Sequence, residues 1–205
     1  MIETFFPGRD FKAFLFDFDG TVADTMPVHR DAWNHALGFF DLTLTLEQHL
    51  GWAGRPTREI VSLLGELHGR ELPVDEIMKH KEVYYSQAAR EVKGIVPVVD
   101  VVRAAHGKIP MAIVSGSRRK PVETTLRQLA MSHYFDVLVC AEDYIHGKPA
   151  PDCFLQAAAA LKADPVDCLV FEDGVLGIQA AHAAGMECLR VDTHPTLGHK
   201  LGPSR

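Results

Sequence analysis

Apolar residues along this chain follow two rhythms. Short apolar runs, unbroken at Ala13–Phe16, Met111–Val114, 137–141 and 168–171 and interrupted by Arg190 at 188–191, predict strands buried on both faces, because they lack the polar alternation of a half-exposed strand. Between the later runs, 120–131, 151–161 and 175–184 carry apolar residues at helical spacing. Strand–helix alternation of this kind predicts a doubly wound α/β fold, a parallel sheet with right-handed crossovers. The stretch 26–92 is different. Val28, Ala32, Trp33, Ala36, Leu37 and Phe40 recur at helical spacing, as do Ile60, Val61, Leu63, Leu64 and Leu67 in Thr57–His68, and Ile77, Val83, Tyr84 and Ala88 in 74–92. No strand pattern interrupts them. An all-helical insertion, 25–93, is therefore expected inside an α/β core made of 1–24 and 94–205, with 51–56 as a loop between its helices. The tail 193–205, rich in Gly, Pro and His, is expected to be frayed.

Length changes this picture little: 205 residues suffice for one sizeable core, or a core plus a small insertion. A net charge of −6 without a long Lys/Arg run argues against a nucleic-acid surface. No stretch is apolar enough to span a bilayer, and the N-terminus lacks the basic-then-apolar pattern of a secretory leader. Cys140, Cys153, Cys168 and Cys188 are widely spaced within or beside apolar segments, so buried free thiols in a reducing, cytoplasmic setting are expected.

The candidate chemistry stands where the strands end. In open α/β sheets ligands bind beyond the carboxyl ends of the strands. The first strand runs into Asp17-Phe18-Asp19-Gly20-Thr21, and residues two apart on a strand project to the same side. Two carboxylates so placed repel unless a cation, a shared proton or strong hydrogen bonding reconciles them, and Gly20 permits a sharp exit turn. The strand at Met111–Val114 leads into Ser115-Gly116-Ser117, a turn offering hydroxyls, backbone N–H groups and a helix start to an anion. Gly147-Lys148-Pro149 follows the next strand, and Glu172-Asp173-Gly174 ends the one after. Each piece alone reads as a polar turn, a loop lysine or a helix-starting acid. Together, in order at successive strand ends, they describe a site for Mg²⁺ and phosphate.

Asp17-Phe18-Asp19-Gly20-Thr21, Ser115, Lys148 and Glu172-Asp173 match in order the four motifs of the haloacid dehalogenase-like phosphohydrolase superfamily, and the helical insertion resembles its α-helical cap on a Rossmann-like core. Asp24-Thr25, His29 to Trp33, 147–152 and 171–186 resemble the β-phosphoglucomutase-like subgroup; 97–102 and 133–136 are similar to its fructose-1-phosphate phosphatase-like members. The resemblance implies hydrolysis of a small sugar phosphate, with a β-phosphoglucomutase-type phosphomutase as the alternative. It makes Asp17 the nucleophile that forms an aspartyl-phosphate and Asp19 the acid and base. Asp17, the Asp19 carbonyl and Asp173 would hold Mg²⁺, with Glu172 as a ligand or just behind one. Ser115, Lys148 and the N–H groups around Gly116 would neutralise the phosphoryl oxygens. Gly20, Thr21 and Ser117 fall on the substrate side, and His29, Arg55, Arg58 and Lys81 are the cap residues expected to meet the sugar phosphate. A mutase must also hold a distal phosphate, for which Ser117, Arg118 and Arg58 are the cations and hydroxyl at hand. The expected partner is a small phosphorylated sugar, with no nucleic acid or membrane, and the chain is read as a monomer.

Overall fold

A computed structural model describes residues 2–53, 55–194 and 198–204. Its strands are β1 (Ala13–Phe16), β2 (Met111–Val114), β3 (Val137–Val139), β4 (Cys168–Glu172), β5 (Glu187–His194) and β6 (Gly198–Pro203). Among the described residues they form one sheet in the order β3-β2-β1-β4-β5-β6, parallel except for the β5–β6 pair. The chain builds outward from β1 in one direction through β2 and β3, then returns to the other side of β1 for β4 and β5. The carboxyl end of β1 therefore lies at a topological switch point, where α/β sheets open a crevice.

A period of two sorts the strand residues onto the two faces. Phe14, Phe16, Met111, Ile113, Leu169, Phe171, Leu189 and Val191 join the cluster under α6 (Val96–Ala105) and α7 (Arg119–Gln128). Ala13, Leu15, Ala112, Val114, Cys168, Val170 and Cys188 join the cluster under α8 (Asp152–Ala160) and α9 (Val175–Ala183). Burial on both sides explains why β1 and β2 are apolar throughout and β4 is apolar up to Glu172. On the first face Phe16 and Phe171 stack with centroids 4.5 Å apart, and Phe14 meets both edge-on. All four cysteines are buried free thiols.

The helical stretch holds α2 (Met26–Gly38), α3 (Leu46–Gly51), α4 (Thr57–His68) and α5 (Val74–Ala88), following a short α1 (Ile2–Phe5) at the chain start. Trp33, Ala36, Leu37, Ile60, Val61, Leu64 and Ile77 give these helices an apolar centre of their own. The two connections to the sheet run side by side, with Asp24 N–H donating to Lys93 O (2.9 Å) and Ile95 N–H to Val22 O (3.0 Å). Thr45 starts α3 with a reciprocal cap: its hydroxyl accepts from Gln48 N–H, and the Gln48 side chain accepts from Thr45 N–H.

Three features depart from the expectations. The tail is not frayed over its described part: 198–203 pair antiparallel with β5 as an edge strand, because β5 would otherwise leave an open row of backbone donors and acceptors. Residues 195–197 and 205 of that tail lie outside the described residues. The valine-rich 96–105, to which the apolar rhythm assigns no element, is helical, with Pro97 in the first turn where its missing N–H costs nothing. Part of the expected loop 51–56 is taken by α3, which ends at Gly51, and Gly54 lies outside the described residues. Among the described residues no helix is long and apolar enough to cross a membrane.

The Phe14 ring sits at the junction of these aromatic contacts and is 3 % exposed. Phe14→Ala is expected to lower unfolding free energy by about 3–5 kcal/mol, measured as a lower urea midpoint at unchanged slope.

Candidate active site

The site is assembled from the ends of β1, β2 and β4 and the loop after β3. Asp17 directly follows β1, where its N–H donates to Phe171 O of β4 (2.9 Å). Lys148 enters from beneath with none of its side chain exposed. Its ammonium donates to Asp17 Oδ1 at 2.5 Å and to Glu172 Oε2 at 2.6 Å, and lies 5.1 Å above the Phe154 ring. Burial alone would push the lysine pKa down; Asp17 and Glu172 outweigh it and hold the pKa well above the ordinary value.

The carboxylates are in surplus over that single cation. Oxygens of Asp17, Glu172 and Asp173 lie within 4.8 Å of one another. Burial, with the charge of Glu172 added, raises the Asp17 pKa well above its usual range, and the same two causes push Asp173 up to about 7. Two glycines make the crowding possible. A Cβ on Gly20, whose φ is +93°, would stand 2.3 Å from Asp173 Oδ2, and one on Gly177 would stand 1.9 Å from Glu172 Oε2. Thr21 donates to Asp173 Oδ1 (2.9 Å), so Gly20 and Thr21, expected on the substrate side, stand against the acid cluster and do not line the cavity described below. Three hard carboxylate donors, one ammonium and raised carboxylate pKa values fit a divalent cation such as Mg²⁺.

Asp19 has the opposite environment. Its Oδ1 accepts from Thr25 Oγ1 (2.7 Å) and His29 Nε2 (2.8 Å), and its Oδ2 from Ser117 Oγ (2.7 Å) and Ser115 Oγ (3.1 Å). Burial opposes ionisation, but these bonds, that of His29 foremost, outweigh it and hold the pKa below the usual carboxylate range. Lys81 stands 3.4 Å from His29 Nδ1, and Tyr85 stacks on the imidazole with centroids 4.5 Å apart. Burial lowers the His29 pKa and, foremost, that of Lys81, which falls to about 8.

Asp17, Asp19, His29, Arg55, Lys81, Gly116, Ser117, Glu172 and Asp173 all line one cavity between the sheet end and the helical insertion. Ser115 and Lys148 are buried just behind it. His29 contacts Asp19, and the Arg55 guanidinium is paired with Glu59. Arg58 does not reach the site. It lies in the first turn of α4 with 63 % of its side chain exposed and bonds Asp75 at the start of α5 (2.6 Å). Thr25, named from the sequence only within a stretch resembling the subgroup and given no role there, makes no cap bond at the start of α2 and holds Asp19 instead. His49, Trp33 and Trp52 likewise line the cavity without having been singled out for it.

Residues 11–185 match the family described as haloacid dehalogenase-like hydrolase. The chain belongs to that family and is a phosphoric monoester hydrolase. It is 40 % identical over 182 residues to the fructose-1-phosphate phosphatase YqaB of Escherichia coli (strain K12), covering 88 % of this chain and 96 % of that one. Against the β-phosphoglucomutase of Bacillus subtilis (strain 168) it is 30 % identical over 200 residues, 93 % of this chain and 88 % of the other. The crystal structure of CbbY from Rhodobacter sphaeroides in complex with phosphate superposes with a TM-score of 0.80 at 24 % identity, covering 94 % of this chain and 91 % of that one, a likeness of fold.

The raised pKa of Asp173 has a sign that can be measured. A carboxyl whose folded pKa lies above its unfolded value contributes stability at low pH that is lost as pH rises toward the folded pKa. In chelator, the urea midpoint is expected to fall between pH 5 and about pH 7 and then level off. Saturating Mg²⁺ is expected to flatten that fall, because a cation bound by the ionised cluster offsets its repulsion.

Proposed function

We propose that this protein is a Mg²⁺-dependent phosphatase that hydrolyses a small sugar phosphate, of the fructose 1-phosphate kind, through an aspartyl-phosphate on Asp17. The observation that carries this reading is the contrast between two neighbouring carboxylates: Asp17 on the Lys148 ammonium at the cavity floor, Asp19 held by four donors beside it. A carboxylate anchored on an ammonium at the cavity floor and a second one fixed beside it supply the positions that a nucleophile and a proton carrier require.

An Asp17 oxygen attacks phosphorus in line, the P–O bond to the sugar breaks, and the departing alkoxide takes a proton from Asp19. Asp19 then accepts a proton from water as the water oxygen attacks phosphorus, and the bond to Asp17 breaks, returning the carboxylate and releasing phosphate. His29, braced by Tyr85 and Lys81, keeps Asp19 aimed at the leaving group. Lys148, Ser115 and the backbone around Gly116 supply positive charge and donors for the transferring phosphoryl oxygens. Asp17, Asp173 and the Asp19 carbonyl, with Glu172 beside them, would hold Mg²⁺, which supplies further charge neutralisation. The helical part, 25–93, acts as a cap that excludes water and reads the sugar.

Hydrolysis is preferred to a mutase because the cations a distal phosphate would need are engaged elsewhere: Arg58 with Asp75, and Arg118 between Glu82 (3.0 Å) and Glu142 (3.4 Å). The reading extends to the cytoplasm, which the four free thiols support, and to a monomer.

Phosphate release from a panel of sugar phosphates that includes fructose 1-phosphate should be rapid with Mg²⁺ and lost with chelator. It should fall at least about a thousandfold in Asp17→Asn. Conversion of β-glucose 1-phosphate to glucose 6-phosphate with little free phosphate would instead establish the mutase.

A further inference from the structure

The polar cap groups in the cavity divide into those already engaged and those that are not. His29 uses both ring nitrogens: Nδ1 accepts from Lys81, so Nε2 carries the proton it donates to Asp19. His49 is different. It lies in the last turn of α3, is 7 % exposed and lines the cavity. Its Nε2 stands 3.1 Å from Met26 O, an atom that can only accept, so Nε2 bears the ring proton. Burial, helped by the nearby charges of Lys81 and Arg30, lowers the imidazole pKa to about 4, so the ring is neutral and Nδ1 keeps its lone pair.

Among the described residues nothing bonds Nδ1. His49 lines the cavity, and with Nε2 engaged by Met26 O, Nδ1 is the ring atom left to meet a ligand there. The cap cations in the same wall, Lys81 and Arg55, are donors, whereas His49 offers an acceptor.

We infer that His49 Nδ1 accepts a hydrogen bond from a hydroxyl of the substrate's sugar, making His49 a specificity-determining residue of the cap. The inference rests on the sugar-phosphate reading above and names the group that reads the sugar. A phosphate oxygen, rich in lone pairs, is repelled at this atom. A substrate without a hydroxyl there leaves the nitrogen desolvated and unpaired, which is the usual basis of strong discrimination. Trp33 and Trp52 in the same wall add apolar lining, so orientation falls to the polar atom.

The test compares kcat/KM for the best sugar phosphate of the panel with that for p-nitrophenyl phosphate, which has no sugar hydroxyl, using the full chain with Mg²⁺. A glutamine at 49 can reach Met26 O as Nε2 does but offers nothing at Nδ1; an asparagine oxygen lies near the Nδ1 position. The ratio of the two kcat/KM values is expected to drop about tenfold in His49→Gln and His49→Phe, chiefly through KM for the sugar phosphate, and to recover in His49→Asn. An unchanged ratio in His49→Gln overturns the inference, including the case where both activities fall together as a purely structural role requires. If the wild type hydrolyses p-nitrophenyl phosphate but no sugar phosphate, the proposed substrate class fails, and the hydroxyl contact fails with it.

Discussion

A lysine ammonium sealed between two carboxylates is the constraint on which the site depends. Lys148 has no exposed side-chain surface, and an unpaired charge so placed costs several kcal/mol, so Asp17 and Glu172 must stay within hydrogen-bond distance of it. That requirement ties the ends of β1 and β4 to the loop after β3. Gly177 contributes by lacking a Cβ where Glu172 must lie, and Gly20 by making room for Asp173. The aromatic face behind, with Phe16 stacked on Phe171, keeps the residues immediately before Asp17 and Glu172 rigid. Core packing thereby becomes a fixed direction for the Asp17 carboxylate.

Much of this was legible from the residues in order. Strands buried on both faces read as unbroken apolar runs, and acids two apart at a strand tip announce a shared direction. Positions that depend on partners distant in sequence were not legible. Arg58 looked like a cap cation until Asp75, seventeen positions later, drew it to the surface. The edge strand β6 exists because β5 offers it a row of hydrogen bonds, which Gly, Pro and His in the tail do not advertise. Thr25 stood only within a stretch resembling the subgroup, with nothing to show that it meets Asp19, and nothing in the sequence singled out His49.

The division of labour follows the architecture. The sheet end holds charge, with acids balanced against Lys148. The helical insertion brings His29 and Lys81 to Asp19 and surrounds the remaining space with Trp33, Trp52, Leu44 and His49. On the function proposed above, chemistry and recognition sit on different parts of the chain, and recognition can change without disturbing the buried lysine. That arrangement suits a family whose relatives bear both phosphatase and mutase names.

On the proposed mechanism the phosphoryl group passes through Asp17 before it meets water. The most direct measurement is the stereochemical course at phosphorus, read with a sugar thiophosphate made chiral by two oxygen isotopes and hydrolysed in water that carries the third. Each in-line displacement inverts the centre, so transfer to Asp17 followed by attack of water predicts overall retention. Inversion would show that water attacks the substrate directly, and would contradict the account.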